Sequence, residues 1–486
     1  MMNRYAFPLA LICVSLTAQA QTVLSPAEYQ NLKAHELLPS GPIIISGDPG
    51  TGLPVSTSVL ERGGGGACDC WIAPDTTYQM AMLPNDDMSS TAITLPFTFS
   101  LFSEPYAEVY INNNGNVSFG TPYGTFTATG FPSDGFVMVA PFWADVDTRG
   151  EDGSGLNGGE VVYKVTDHAL YVNWVDVGYF SMQTDLHNAF QLIITDGTDP
   201  VIPGGNNVSF CYQDMQWTTG SASGGLGGFD GTPATAGVNR GNSGDHAQVG
   251  RFSLNDDSYA GPYVESSGVD WLDNTHFYLN TTGTGVPPIF GSTFDCDTVI
   301  VQMPLGPEDR DGELYHLIVL PGAPDQMVSC VSSAPTLPNF ENVNEGLSSK
   351  LELEFQINSD EAEVGLHYIT FTATNDDAEP LSSTYVLQVE KTGTGSTDIA
   401  ANAVLEGIAL APNPALESSV LAWPADVTVR NVVVLGLDGK QVATFSLTAR
   451  EQRLVLLLDG LATGTYLVRA LTDSGVRTER LVKVPR

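Results

Sequence analysis

Apolar and polar residues along this chain recur mostly at a period of two, in short runs punctuated by turn residues. Glu108–Ile111 and Asn116–Phe119 alternate around Asn112-Asn113-Asn114-Gly115, where Asn-Gly supplies the positive φ that a hairpin turn needs. Val161–Val165 and Ala169–Trp174 flank Asp167-His168 and predict a second hairpin. Phe136–Ala140 and Phe190–Ile194 are continuous apolar runs of the length expected for buried strands. Further strands are expected at Leu314–Leu320, Leu351–Phe355, Tyr368–Thr374 and Thr384–Val389, and then at Val432–Leu435, Leu454–Leu458 and Thr465–Arg469. A helical period is not sustained over any convincing length. The fold class expected is all-β, as a multidomain chain of β-sandwich-like units.

Breaks in the pattern divide the chain. Residues 1–20 read as a signal peptide, with Arg4, an apolar stretch from Ala6 to Val14 and small residues at Ala18 and Ala20. Ile12 before Cys13 argues against lipidation. Residues 21–94 read as a leader that is poorly structured in part, with a Gly63–Gly66 run. A strand-rich unit follows over 95–282. Thr282–Gly285 with Pro287-Pro288 reads as a linker, residues 289–391 as an immunoglobulin-like unit of about a hundred residues, 392–407 as a second linker, and 408–486 as a small terminal β unit. Nowhere do some 18 apolar residues run uninterrupted, so no membrane span is expected.

Charge narrows the partners. The 486 residues hold 56 Asp and Glu against 19 Lys and Arg, a net charge of −37. Nine basic and seven acidic residues lie within 408–486, so the acidity belongs to the preceding part. So few basic side chains argue against nucleic-acid partners. Beyond Cys13 there are five cysteines, an odd number for an oxidising compartment. Cys68 and Cys70 are too close to bridge each other easily. The pairs expected are one of these two, taken as Cys70, with Cys211, and Cys296 with Cys330. A zinc site would require a second close Cys or His pair.

Candidate chemistry is sparse. No His-Glu-x-x-His motif occurs. Gly241-Asn-Ser243-Gly244 lacks the frame of a serine protease, and Gly224–Gly228 lacks the lysine and helix of a phosphate loop; both read as loops. Asp145 and Asp147 follow Phe142-Trp143 at the end of a buried run. Alternate residues on a strand share a face, so like charges at this spacing favour an intervening cation. With Asp152 and carbonyls of Gly153–Gly155 they form a candidate Ca²⁺ site, against the plainer reading of a solvated acidic turn. The same two carboxylates are the candidate acids of a polysaccharide hydrolase. The six Trp read chiefly as core anchors.

Several ordered motifs carry a resemblance. Val109–Phe119, Ala140-Pro-Phe-Trp-Ala-Asp-Val-Asp147, Asn188–Ile194, Asp214–Trp217, Ala236–Asn239 and Gly268–Leu272 together resemble the NIDO domain of nidogen, alpha-tectorin and some mucins. That resemblance covers Leu95 to Asn280 and implies an extracellular setting of matrix and cell–matrix adhesion, with no catalytic residues to carry over. Ala411-Pro-Asn-Pro414, Val434–Gly439, Leu461–Val468 and Leu481–Val484 resemble the type A sorting domain of the Bacteroidetes type IX secretion system, which implies that machinery as a partner and passage across the outer membrane. The expected function is therefore a secreted or surface adhesion protein without catalysis, binding an extracellular matrix protein or glycan. A secreted polysaccharide hydrolase and a surface-layer component are the alternatives.

Overall fold

The computed structural model describes residues 22–39, 43–55, 71–292 except 152, 200, 203 and 204, 298–302, and 314–392 except 358–360 and 364. In the terminal part it describes 409–411, 415–416, 418–424, 429–436, 441–446, 452–458, 461, 464–472 and 475–484. The expected signal peptide lies outside these residues. The chain divides into two compact units, residues 1–393 and 394–486, and both are built of β-sheet.

Two sheets make the larger part of the first unit. The longer one, among the described residues, runs in the order Leu351–Gln356, Leu314–Leu320, Ile289–Ser292, His276–Leu279, Val208–Met215, Gln183–Thr195, Ala169–Tyr179, Glu160–Val165 and Gln79–Met80, with Val146–Asp147 on the side of Ala169–Tyr179. The second runs Ser267–Gly268, His246–Leu254, Ala234–Asn239, Val137–Trp143, Asn116–Phe119, Glu104–Asn112 and Ile93–Leu101. Alternation explains their faces. In Ile93–Leu101 the residues Ile93, Leu95, Phe97, Phe99 and Leu101 are buried while Thr94, Pro96 and Thr98 face outward. Phe99, Phe142 and Phe252 of one sheet meet Trp174, Phe190 and Phe210 of the other in one apolar cluster. The Phe142 and Phe190 rings lie 5.6 Å apart across it. Trp143, Trp174 and Trp217 are fully buried, as core anchors should be.

Both predicted hairpins form, with Tyr110 opposite Ser118 and Val172 opposite Tyr163. Two expectations change. Residues 282–288 do not separate two sheets: they join His276–Leu279 to its antiparallel neighbour Ile289–Ser292, with Phe277 opposite Gly291. The immunoglobulin-like region therefore contributes three of its own strands, Ile289–Ser292, Leu314–Leu320 and Leu351–Gln356, to the long sheet. Its other sheet, ordered Thr298–Gln302, Ser382–Thr392, Gly365–Asn375, Val328–Ser333 and Asn344–Ser348, packs Phe371, Tyr385 and Leu387 against Phe290, Leu317 and Phe355. Gly and Pro at 282–288 build a connection within a sheet, not a joint between sheets.

The second change concerns the leader. Residues 22–55 are in large part ordered, and Pro26–Ala34 is an α-helix, α1. Its start is fixed by a reciprocal cap in which Glu28 N–H donates to Ser25 Oγ and Ser25 N–H donates to Glu28 Oε2. Pro26 sits in the first turn, where its missing N–H costs nothing. Tyr29 and Lys33, four residues apart on one face, are both buried. The strand Gln79–Met80 and buried Trp71 and Tyr78 also attach the 71–94 stretch to the following unit.

The second unit pairs a sheet of Ala409–Ala411, Ser418–Ala422 and Arg453–Leu457 with one of Gln441–Ser446, Val429–Gly436, Gly464–Thr472 and Gly475–Lys483. Leu421, Trp423, Val432, Leu456, Val468 and Leu481 form its core. Among the described residues no helix is long and apolar enough to cross a membrane.

Candidate functional site

A buried polar cluster in the first unit surrounds the turn Asn112–Gly115. The turn residues Asn112, Asn113 and Asn114 are wholly buried. Gly115 takes φ +72, and a Cβ there would lie 1.8 Å from Phe142 O, so only glycine fits. Asn113 Nδ2 donates to Val146 O at 2.6 Å, and Trp174 Nε1 donates to Asn113 O at 3.0 Å. Asn114 donates to Asp87 Oδ1 at 2.6 Å and accepts from Val146 N–H at 3.0 Å. The turn thereby fixes both the loop that carries Asp86-Asp87 and the stretch that carries Asp145.

Lys33 enters this cluster from α1. Its Nζ lies 2.9 Å from Asp86 Oδ2, 2.7 Å from Asp87 Oδ2 and 2.6 Å from Asp145 Oδ1, all with buried side chains. The three ammonium protons thus go to three different carboxylates. The Phe126 and Phe180 ring centroids lie 4.1 and 4.2 Å from the same nitrogen, a close cation–π setting. Gln30 donates to Asp86 Oδ2 at 2.8 Å. Asp147 is occupied otherwise. Arg149 Nε donates to its Oδ1 at 2.8 Å, Arg149 NH2 reaches its Oδ2 at 2.5 Å, and Met182 N–H donates to Oδ2 at 2.8 Å. Arg149 NH2 is also 3.8 Å from Asp86 Oδ2.

Four aspartates thus share two basic groups, too few to pair every carboxyl in its ionised form. The electrostatics follow. Burial pushes the Asp145 carboxyl up to about 7, with Lys33 opposing and Asp86 and Asp147 adding to the rise. Asp86 is raised well above the usual carboxylate range by burial and by Asp87, and Asp87 is raised by burial against the pull of Lys33. Burial would strip the proton from Lys33, but the three carboxylates outweigh it and hold its pKa above the ordinary lysine value. Tyr29 is raised by burial and by Asp87 and Asp86, so its hydroxyl stays protonated beside them.

The expected calcium ligands are only partly brought together. Asp145 meets Asp86 and Asp87 instead of pairing with Asp147 across a shared cation, because Arg149 already claims both oxygens of Asp147; Asp152 lies outside the described residues. As hydrolase acids, Asp145 and Asp147 offer no exposed oxygen, both side chains having no accessible surface. Ser243 sits in an exposed turn, its hydroxyl donating to Asp134. The expected Cys296–Cys330 bridge is corrected: Cys330 is a free thiol, buried in the core of the immunoglobulin-like region, where burial and Glu345 push it up to about 12. Cys211 is disulfide-bonded, while Cys70 and Cys296 lie outside the described residues. Sequence reading missed Lys33, Asp86 and Asp87. One of only six lysines in an acidic chain, placed four residues after Tyr29 behind a Ser-x-x-Glu cap, was the available signal.

Stacked sheets tied together by a buried asparagine turn and a buried ionic cluster define a β module whose acids serve its own framework. The comparisons make this specific. Residues 71–259 match the NIDO related family and residues 409–484 match the secretion system C-terminal sorting domain. The chain therefore carries a NIDO-like domain followed by a sorting domain, the mark of a secreted protein. Alpha-tectorin of Gallus gallus is 37% identical over 180 residues, covering 32% of this chain and 8% of that protein. Alpha-tectorin of Homo sapiens is 36% identical over 187 residues, with the same coverages. Nidogen of Drosophila melanogaster is 25% identical over 232 residues, covering 43% of this chain and 15% of that protein. The chain thus spans less than a sixth of the length of these relatives. The BSP domain of a biofilm-associated protein aligns at a TM-score of 0.14 and 11% identity, over 36% of this chain and 28% of that one, too weakly to support an argument.

Proposed function

We propose that this chain is an adhesion or matrix-interaction protein of a bacterial cell surface or its medium, exported by the type IX secretion system and binding a matrix protein or glycan without covalent chemistry. The observation that carries the reading is the order of the two matched regions, a NIDO related domain ahead of a sorting domain. The NIDO setting supplies the adhesion class and the sorting domain supplies the route. Loops at the ends of rigid sheets would make the contacts. The hydrolase alternative draws no support from Asp145 and Asp147, which are buried and held by basic side chains.

The test has two arms. The purified secreted chain is applied to an array of glycans and matrix proteins, where saturable binding to one class without turnover is expected. Polysaccharide cleavage lost in Asp145→Asn with Asp147→Asn would instead favour a hydrolase. In cells, deleting 409–484 should abolish appearance outside the outer membrane; unchanged export would remove the sorting assignment.

A further inference from the structure

The cluster at the foot of α1 has the properties of an ion site in which a side chain stands in for the ion. Asp86, Asp87 and Asp145 each present a carboxylate oxygen, and these oxygens lie within 4.8 Å of one another. That is the span available around one cation with Ca²⁺–oxygen distances of about 2.3–2.6 Å. A cationic atom already marks the centre, since Lys33 Nζ sits 2.6–2.9 Å from one oxygen of each. The ammonium nevertheless leaves the site incomplete. Its three protons serve three oxygens, while Asp86 Oδ1 and Asp145 Oδ2 are buried with no hydrogen-bond partner. Buried, unpaired carboxylate oxygens are costly. With Asp147 and Arg149 included, four carboxyls face only two basic groups.

We propose that the point held by Lys33 Nζ is a Ca²⁺ site, and that Ca²⁺ and the Lys33 ammonium are alternative occupants of it. A divalent ion carries twice the charge of the ammonium and accepts six to eight oxygens, so it can engage the oxygens that Lys33 leaves unserved. Ca²⁺ in place of the ammonium adds one positive charge at a point where acids outnumber bases, and so favours the ionised form of the carboxyls around it. The exchange is coupled to a shape change, because Lys33 reaches the site only while α1 is docked. Binding of the ion therefore frees residues 22–39 from the NIDO-like domain, and docking of α1 expels the ion. The ligand set is Asp86, Asp87 and Asp145, without Asp147, whose oxygens Arg149 holds. Hard oxygen donors, with no His or Cys among them, select Ca²⁺ over softer metals.

Ca²⁺ alone is titrated by calorimetry into the full secreted chain and into its Lys33→Gln variant. Removing the competing ammonium should tighten one Ca²⁺ site by about tenfold or more, and Asp86→Asn with Asp87→Asn in the Lys33→Gln background should abolish that site. Equal isotherms for the wild-type and Lys33→Gln chains would overturn the proposal. Should Lys33→Gln fail to fold, the wild-type chain decides. Limited proteolysis in millimolar Ca²⁺ should accelerate cleavage within 22–39 relative to EDTA, and unchanged protection of that segment overturns the exchange. Neither result depends on whether the chain binds a matrix ligand.

Discussion

At the residue scale, Asp145 carries the clearest pH signature. Its carboxyl stands at about 7 when folded, against 3.8 ordinarily, chiefly because it is buried. The folded protein thus holds this proton more tightly than the unfolded chain does. Its contribution to stability is complete below the ordinary value and is lost as pH rises through about 7. Asp86 and Asp87 are shifted the same way. In EDTA, the melting temperature of the NIDO-like domain should therefore fall as pH rises from about 4 to about 7. Asp145→Asn should flatten that slope, and a slope unaltered by the substitution would show that other groups govern it. Beyond the rarity of Lys33 in an acidic chain, little of this was open to sequence reading. Lys33 meets acids 53, 54 and 112 positions away, and no local spacing encodes such a meeting. Asp145 and Asp147 stood out because they share a strand-like stretch. That same proximity misdirected the expected ligand set, since Arg149, two residues further on, takes Asp147 for itself.

At the element scale, turn chemistry was the most legible feature and its depth the least. Asn-Gly after Glu108–Ile111 announces a hairpin, and the register bears it out. What the letters do not reveal is that this turn is buried and braces the acidic cluster through Asn113 and Asn114. Gly115→Ala should consequently cost about 4 kcal/mol or more, because a methyl group would collide with Phe142 O in a left-handed backbone. Denaturant unfolding of the variant checks this, and a loss below about 1 kcal/mol would mean the turn can relax. Helix α1 was missed for the opposite reason. Nine residues with one buried lysine and one buried tyrosine produce no apolar stripe, so tertiary charge pairing, not amphipathicity, holds it in place. Its capping box was present in the letters all along.

At the scale of the molecule, the sandwich character and the order of units were readable from strand spacing, but the seam between the first two was not. Gly and Pro serve a tight connection inside one sheet as well as a joint between two, and only the pairing of His276–Leu279 with Ile289–Ser292 tells them apart. A chain ending at residue 285 would leave His276–Leu279 as a raw edge, and such edges recruit other strands. It should self-associate where the full chain does not, as light scattering would show; a monodisperse product would mean that edge is protected otherwise.

The shared sheet also bears on how the first unit would carry load. Among the described residues, nine strands lie side by side on its hydrogen-bonded path, and at about 4.8 Å spacing they make a plate roughly 40 Å wide. Beads on a string swivel at each joint and yield one at a time under tension. A plate that passes through the boundary at 282–288 removes that swivel. Whatever grips the NIDO-like face would pull against the immunoglobulin-like region as one stiff lever, and strain at one end would be felt at the other.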